Sequence, residues 1–421
     1  MSGALKRDEW ETVRLGDEMK SMPRVLIPDV LYFQEGPGVR NTQYTLSGVK
    51  LLNVSNLHDG FVDLSTSNRY ISEDEAYGRY SHFLVDEGDF IIASSGIKIE
   101  SFDTKMGFID KSHLPLCMNT STIRFKVLDD SKLSIRYFMY YLKSDDFKKQ
   151  LFHHITGSAQ LNFGPSHLKK MTFPLPPIDI QRRIAETLDK VTELLTLRKT
   201  QLKKLDELVK ARFVELFGDP VSNPMGWERV PLSVCVESID NGKSFVCDSA
   251  AREGDWPAVL KLSAATYGFY RPEENKAVMD EKQFVEDAAV RVGDLLFTRK
   301  NTPELVGMCA YVYDTPSKLM MPDLIFRLNT TERCNKVFLW KLINHDLFRD
   351  CIQAIATGSA KSMSNISKER LLGLEINLPP IELQNQFAAF VEQTDKSKVI
   401  IQQNLDTLEI LKESLMQEYF G

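Results

Sequence analysis

Three stretches of the chain contain residue types that serve catalysis, but each lacks part of the required pattern. The segment "ESIDNGKS", residues 237–244, ends with the Gly-Lys-Ser of a phosphate-binding loop. Glu237 stands where such a loop needs its first glycine. "DTK" at residues 103–105 matches only the last part of a metal-dependent nuclease site. The seven histidines, His153 and His154 among them, lack the spacing of metal ligands. We predict a turn, a surface loop and packed or solvated histidines at these positions, with no metal site.

The double prolines of the chain do not belong to a methyl-transfer site. An adenine methyltransferase would need an Asn- or Asp-Pro-Pro-aromatic loop to hold the flipped base. Both double prolines lie in "LPPI", where Leu175 and Leu378 replace the polar residue. The sequence therefore predicts that the chain itself is not an enzyme and has no catalytic residues.

Polar and basic residues follow an apolar run in each half of the chain. In "GDLLFTRKNT" of the second half they are Thr298, Arg299, Lys300 and Asn301. The same place in the first half holds Ser94, Ser95 and then Lys98. A loop after a strand can present side chains rigidly enough to read bases. Arginine can donate two hydrogen bonds to guanine, and asparagine can form two with adenine. An ordinary solvated turn is the alternative.

Two further loops begin with the same four letters, in "TGSAQLNFGPSHLKK" and "TGSAKSMSNISKER". Glycine, serine and glutamine suit a close approach to a sugar-phosphate backbone, and lysines suit contacts with phosphates. A purely structural linker is an equally good interpretation of each single residue. The candidate DNA-contacting residues in these loops are Gln160, Lys169, Lys170, Lys361, Ser364 and Lys368.

The chain is one module written twice. "TGSAQ" begins at Thr156 and "TGSAK" at Thr357, and "PPI" begins at residues 176 and 379. "EGDFIIASSG" resembles "VGDLLFTRKN" at a slightly different separation, as loops of independent length would produce. Such internal similarity indicates that the two halves of the chain share one fold.

Each module combines a globular part with a long helix. Short β-rich runs such as "STIRFKVL" alternate with Gly, Asn and Asp turns, and a helical pattern closes the globular part. We predict an α/β (α+β) fold with similar globular domains at residues 1–173 and 218–376. Long helices are predicted within residues 174–217 and 377–421.

Both long helices begin after paired prolines, which are tolerated only in a first turn. Apolar residues then recur at alternating steps of four and three, as in a coiled-coil seam. Neither stripe is complete alone, so we predict that the helices form an antiparallel coiled coil in a pseudo-twofold molecule. Two helices that each pack on their own domain are the alternative. The predicted seam comprises Ile184, Leu188, Val191, Leu195, Leu202, Leu205, Val209, Phe387, Val391, Ile401, Leu405 and Leu408.

Composition and charge limit the function further. The formal net charge is −6, so a nucleic-acid-binding chain would need local basic loops or a basic partner. The N-terminus is polar, and no long apolar run predicts a membrane span. Six scattered cysteines fit reduced thiols better than disulfides. We expect a cytoplasmic protein without membrane attachment.

The length of the helices suggests a use for their pairing. A helix of about 40 residues spans roughly 60 Å. Dimeric DNA readers space their half-sites by one duplex turn, about 34 Å. Two paired helices could therefore hold two reading heads on one face of double-stranded DNA.

The order of these parts resembles the specificity subunit of type I restriction–modification systems, the HsdS family. The duplicated "LPPIxxQ" helix start and the linking "FGDPVSNPMGWE" carry the resemblance, which covers essentially the whole chain. It implies two target recognition domains, each reading one half of a bipartite DNA target. It also implies that the helices dock two methyltransferase subunits and, through them, two restriction subunits.

The resemblance places all chemistry on the partner subunits. The assembled complex would be an adenine-specific DNA methyltransferase and an ATP-dependent endonuclease. S-adenosylmethionine, ATP and Mg²⁺ are then expected on the partners, and no cofactor on this chain. A specificity subunit of a methylation-only or other defence assembly is one alternative. A coiled-coil scaffold that does not contact DNA is another.

Overall fold

A computed structural model of the chain describes residues 22–66, 68–154, 161–358 and 363–421, together with Met19. Its contacts divide the chain into two compact units. The first unit comprises Met1–Arg198 with Asn404–Gly421, and the second comprises Lys199–Gln403. Each unit therefore contains one globular domain, half of one long helix and half of the other.

The first unit is built on two small sheets. The four-stranded sheet is antiparallel and has the order Leu31–Glu35, Thr122–Val127, Phe90–Ala93, Met106–Phe108. The three-stranded sheet places Val49–Leu52 between parallel Leu116–Met118 and antiparallel Tyr70–Ile71. Two-stranded pairs join Arg24–Leu26 to Thr172–Pro174, Ser95–Ile97 to Leu161–Asn162, and Leu57–His58 to Phe61–Val62.

The second unit repeats this topology. Its four-stranded antiparallel sheet has the order Val236–Asn241, Ile325–Thr330, Leu295–Thr298, Cys309–Tyr311. Its three-stranded sheet places Ala258–Leu260 between parallel Leu319–Met320 and antiparallel Asn275–Ala277. Two-stranded pairs join Glu228–Pro231 to Glu375–Leu378, and Lys300–Asn301 to Ser364–Asn365. The predicted duplication of a mixed α/β domain is confirmed.

Short helices cover the sheets, and two long helices follow the domains. The short helices are Ile27–Val30, Glu73–Tyr77, Ile135–Leu142, Asp145–His154, Pro165–Leu168, Lys336–Ile343, Arg349–Ala354 and Lys368–Leu372. The first long helix is Ile178–Phe217 and the second is Ile381–Phe420, each of 40 residues. Gly218, at φ 75°, ends the first long helix in the left-handed conformation that glycine adopts without strain.

A buried ion pair lies at the same place in both four-stranded sheets. Arg124 Nη1 is 3.3 Å from Asp89 Oδ2 in the first unit, and Arg327 Nε is 2.9 Å from Asp294 Oδ2 in the second. All four side chains are less than a tenth exposed. Because buried charges require partners, each pair holds the turn before one central strand against the next strand.

A buried glutamine ties the first long helix to the domain in front of it. The side-chain oxygen of Gln181 accepts a hydrogen bond from the backbone N–H of Ser134, at 2.9 Å. Its amide nitrogen donates to the backbone carbonyls of Lys132 and Pro176, at 2.8 and 2.7 Å. These bonds connect the helix start to the segment that precedes the helix Ile135–Leu142.

The second long helix has the same tie. Gln384 accepts from the backbone N–H of Asn335 at 2.8 Å and donates to the carbonyls of Arg333 and Pro379 at 3.1 and 2.8 Å. The glutamine of the repeated "LPPIxxQ" motif therefore has one structural role in both modules.

The two long helices run antiparallel within the second unit. The rings of Phe213 and Phe217, at the end of the first long helix, lie 5.5 and 5.3 Å from the ring of Phe387, near the start of the second. Two to three turns away from these rings, Lys398 Nζ forms a 2.5 Å ion pair with Asp206 Oδ1. Both long helices therefore contribute to the core of this unit.

The first unit shows the same arrangement from the other ends of the helices. The ring of Phe420 lies 5.3 Å from that of Tyr137 and 6.1 Å from that of Tyr141. Burial raises the pKa of Tyr419 to about 12, and the positive charge of Arg183, near the start of the first long helix, opposes this rise. The end of the chain thus packs on the first globular domain. The alternative, in which each long helix packs only on its own domain, is wrong.

Most of the predicted seam is buried. Leu202, Leu205 and Leu408 are only partly buried. Leu202 borders a cavity, and the Lys398–Asp206 ion pair occupies this part of the second unit in place of apolar packing. The fully buried seam residues are Ile184, Leu188, Val191, Leu195, Val209, Phe387, Val391, Ile401 and Leu405.

Candidate nucleic-acid interface

In the second unit, the two predicted DNA-contacting loops are hydrogen-bonded to each other. Lys300–Asn301 pairs with Ser364–Asn365 as a short antiparallel ladder, in which Lys300 lies opposite Asn365 and Asn301 opposite Ser364. The two loops were predicted separately from distant parts of the sequence. The structure brings them together at the end of the buried strand Leu295–Thr298.

Arg299 is held in place rather than free in solvent. Its Nε and Nη2 atoms donate to Asn365 Oδ1 at 3.3 and 3.2 Å. Its guanidinium lies 4.8 Å from the centre of the Phe326 ring. Lys368 approaches the same ring, at 5.7 Å, and donates to the carbonyl of Ile239. Asn365, which the sequence did not single out, therefore orients the arginine, and the "SN" following the "TGSA" loop is the signal for it.

The Lys300 ammonium has no hydrogen-bond or ion-pair partner within the described ranges, and its side chain is half-buried. An ammonium fixed on a short strand, with its charge uncompensated, suits a phosphate. Lys300 is the residue of this loop that the structure leaves most available for an anion.

Several predicted contact residues are buried instead. Thr298 is fully buried, and its hydroxyl is 3.1 Å from the carbonyl of Met308. Asn301 is 7% exposed and donates to Thr266 Oγ1, and Ser364 is 8% exposed. The structure does not support base contacts by Thr298, because a strand covered on both faces presents no side chain to a ligand. Asn301 and Ser364 join the two loops.

The first unit has the corresponding pair of loops. Ser95–Ile97 pairs with Leu161–Asn162, and Ser95 Oγ is 2.6 Å from Ser121 Oγ. Lys98 is exposed. Ser94 is fully buried, so direct contact of its side chain with DNA is not supported either.

A cluster of basic residues lies beside these loops in the first unit. Lys169 and Lys170 are exposed just after the short helix Pro165–Leu168. The pKa of His154 is lowered, chiefly by burial and also by the charges of His153, Lys170 and His167. Such mutual repulsion marks a locally positive surface, which suits phosphate contacts. Gln160 and Lys361, the remaining candidates, lie outside the described residues.

The described part of the chain contains neither a cluster of metal-binding side chains nor a helix that could span a membrane. Its histidine, cysteine and acidic side chains form no group of three or more that could hold a metal ion. None of its helices is long and apolar enough to cross a membrane.

The second unit also has a cavity of about 820 Å³ lined by aromatic side chains, among them Tyr267, Tyr313 and Trp340. Lys341 Nζ lies 3.4 Å from the centre of the Trp340 ring. Burial lowers the pKa of Lys341 to about 8, although Asp395 and Asp206 oppose the shift. At pH 8 about half of this amine is therefore neutral, against less than about one per cent of an ordinary lysine.

Lys341 is expected to be acylated by a small N-hydroxysuccinimide ester at least about tenfold faster than exposed lysines at pH 8. The advantage should shrink above pH 10, where ordinary lysines also lose their protons, and peptide mass spectrometry would measure it. Exposed Lys282 in the same unit is the reference. A rate for Lys341 that rises with pH in parallel with that for Lys282 would contradict the assigned shift.

Comparison with known proteins identifies a family. The sequence model of the "Type I restriction modification DNA specificity domain" matches residues 7–207 and again residues 226–409. The two matches coincide with the two modules, each extending into its long helix.

Curated relatives carry the same description. The specificity subunit of the type I restriction enzyme EcoEI from Escherichia coli is 30% identical over 200 residues, 46% of this chain and 34% of that protein. That of MjaVIII from Methanocaldococcus jannaschii is 22% identical over 208 residues, 49% of this chain and 48% of that protein. That of EcoKI from E. coli K12 is 20% identical over 324 residues, 72% of this chain and 67% of that protein. The match thus spans about a third to a half of the length of the first two relatives.

Solved structures share the fold. The S subunit of a type I restriction–modification system from M. genitalium superposes with a TM-score of 0.57 at 15% identity, covering 95% of this chain and 96% of the other. A chain from a structural study of type I R-M complex assembly gives 0.50 at 17% identity, covering 94% and 99%.

Proposed function

The chain belongs to the type I restriction–modification DNA specificity family, and on that basis we propose that it is the non-catalytic specificity subunit of such a system. Each globular domain would read one half of a bipartite sequence in double-stranded DNA. The proposed domains are residues 1–173 and 218–376, with the long helices between and after them.

The duplicated pairing of polar loops is the observation that carries this proposal. In each unit, a loop that follows a buried central strand is hydrogen-bonded to a segment that comes after "TGSA" in the chain and leads towards the long helix. A short ladder of this kind gives loop side chains the rigid frame that base reading needs. The two frames are alike, but Arg299 and Lys300 stand in one where Ser94 and Ser95 stand in the other. Two different half-sites fit that difference.

Matching apolar residues on the long helices support docking of two copies of one partner. The first unit exposes Leu197 and Leu411, which are 55% and 44% exposed. The second exposes Ile400 and Leu208 at the equivalent positions of the repeat, 60% and 48% exposed. Because apolar side chains are exposed at equivalent positions of both units, these positions suit contacts with two copies of one partner. We assign these two surfaces to methyltransferase subunits, which would recruit two restriction subunits. S-adenosylmethionine, ATP and Mg²⁺ would be held by these partner subunits.

The net charge of −6 bears on how DNA is held. The basic cluster near Lys169 and the Lys300 loop provide few positive charges for phosphates. We propose that the free subunit binds DNA weakly and that the partners supply most of the positive surface around the duplex. Tight sequence-specific binding by the isolated chain in a gel shift would contradict this part of the proposal.

The direct test is methylation by the assembled complex. The chain is mixed with the methyltransferase subunit of the same genome and plasmid DNA, and modified adenines are mapped by single-molecule sequencing. We expect modification at one bipartite motif. Modification without sequence preference, or none, would refute the proposed function.

A single substitution tests the assigned loop of the second unit. Lys300→Glu is expected to weaken binding of the complex to its target and to reduce the slope of log affinity against log salt by about one, as for one lost phosphate contact. Lys282→Glu removes the same charge from an exposed surface of the same unit. Equal effects of both changes would show that only net charge matters.

A further inference from the structure

The first unit contains a polar cavity of about 490 Å³ next to the predicted loop. It lies at the edge of the three-stranded sheet and is lined by Tyr44, Asn53, Asn68, Arg69, Asn119 and Ser121, among others. Ser121 is also the residue whose hydroxyl contacts Ser95. The cavity therefore shares a wall with a segment that was singled out from the sequence alone.

The lining has an unusual balance of charge for this chain. Among the described residues around the cavity, Arg69 carries the only formal charge, and the others are mainly amides, hydroxyls and one phenol. The chain as a whole has six more acidic than basic residues. Because no carboxylate stands among the described lining residues, the cavity suits a polyanion whose bases also offer hydrogen-bond donors and acceptors.

The amides of the cavity are fixed in orientation. Asn119 is 1% exposed, donates to Asn53 Oδ1 at 2.9 Å and accepts from the backbone N–H of Thr120 at 2.8 Å. Asn53 in turn donates to the carbonyl of Leu51 at 2.9 Å. A chain of amides held in this way preorganises the wall against which a ligand would lie.

Arg69 is placed differently. Its guanidinium lies 5.4 Å from the centre of the Tyr44 ring, and it has no hydrogen-bond or ion-pair partner in the ranges that the structure describes. A guanidinium at this distance from a ring is attracted to the ring, while its N–H donors stay unused. A flat pair of donors of this kind matches the O6 and N7 acceptors of guanine in the major groove.

The described residues of the second unit replace both amides of this wall. Strand register places Lys261 at the position of Asn53, and Pro322 at the position of Asn119. Lys261 Nζ there lies 3.9 Å from Glu274 Oε2. The amide pair is therefore found in the first module and replaced in the second, as expected if the two modules read different sequences.

We propose that this cavity is the base-reading site of the first module and that Arg69 recognises a guanine in the half-site which that module reads. The inference rests on the proposed function, since it requires that the first module contacts DNA. Tyr44 attracts the guanidinium, and the Asn53–Asn119 pair forms the wall beside the neighbouring base.

The test uses the complex of the full chain with its methyltransferase subunit. Methylation rates are measured on DNA carrying the wild-type motif and on every single-base variant of it. Arg69→Lys keeps the charge but loses the planar fork. We expect discrimination at one G·C position to fall about 10- to 100-fold, with every other position unchanged. Arg69→Ala should relax the same position.

Arg79→Ala is the matched control. Arg79 is exposed in the same domain, and its guanidinium also lies 5.4 Å from the centre of a tyrosine ring, that of Tyr80, but outside the cavity. It should leave the motif unchanged. A uniform loss across all sequences with Arg69→Ala, together with a near-normal Arg69→Lys, would reduce Arg69 to a phosphate contact and overturn the proposal. So would an unchanged motif in both variants. If the wild-type complex shows no sequence preference, the proposed function itself fails, and this is seen before any variant is made.

Discussion

Replacing Gln384 with glutamate is expected to lower the free energy of unfolding of the second unit by about 3 kcal/mol or more, because buried polar groups lose their partners. The side chain is fully buried, and its amide nitrogen donates to two backbone carbonyls. A carboxylate would place negative charge against both oxygens. The shift of the unfolding transition of the full chain in urea or on heating would measure the loss.

The loss should depend on pH in a defined direction. A protonated glutamate can donate to one of the two carbonyls, so the variant should recover part of its stability as the pH falls towards the pKa of this carboxyl. Gln386→Glu, at an exposed position of the same helix, is the matched control and should change stability by less than about 0.5 kcal/mol. A small, pH-independent effect at Gln384 would mean that the tie does not hold helix and domain together.

The repeat shows which parts of the fold could be predicted. The paired prolines and the recurrent apolar steps are local features, and they predict the start of both long helices correctly within two residues of the prolines. The glutamine at the matching positions 181 and 384 is equally visible in the sequence. Its structural role could not be predicted, because some of the backbone groups that it hydrogen-bonds lie about 50 residues earlier in the chain.

The antiparallel pairing of the helices was predicted from two incomplete stripes, and the contacts around Phe387 bear it out. The detail was less accurate. Leu202 and Leu205 have the spacing of core positions, but the second long helix presents Lys398 near them, which forms an ion pair with Asp206. Periodicity identifies one face of a helix, but the residues opposite decide how deeply each position is buried.

The candidate interface was the least predictable part. Ser94 and Thr298 follow apolar strands and are polar, which suggested exposure, yet both faces of these strands are covered. The proximity of Arg69 and Asn119 could not be predicted, because they are 50 residues apart in the chain. They line one cavity only when the strands on both sides of Val49–Leu52 have assembled. No local sequence pattern predicts that proximity.

Phe387→Ala is expected to lower the free energy of unfolding of the second unit by about 3–5 kcal/mol, as for a fully buried phenylalanine. Phe387 is 0% exposed, and its ring meets those of Phe213 and Phe217. Phe269→Ala, in the same unit but at a position 52% exposed, is the control and should cost far less.

The pairing of the long helices also predicts energetic coupling between residues on different helices, which tests the pairing more directly than the loss of stability in one variant. Phe213 lies on the helix that follows the first domain, yet it belongs to the same core cluster as Phe387, Phe338 and Val391 of the second unit. Residues in contact are expected to show coupling of about 0.5–3 kcal/mol in a double-mutant cycle, whereas distant residues add. Phe213→Ala and Phe387→Ala should therefore be less than additive. Phe387→Ala combined with Phe173→Ala, a fully buried change in the first unit, should be additive or unfold in separate transitions. Strict additivity of the Phe213 and Phe387 changes would mean that these two side chains, on different long helices, do not stabilise each other.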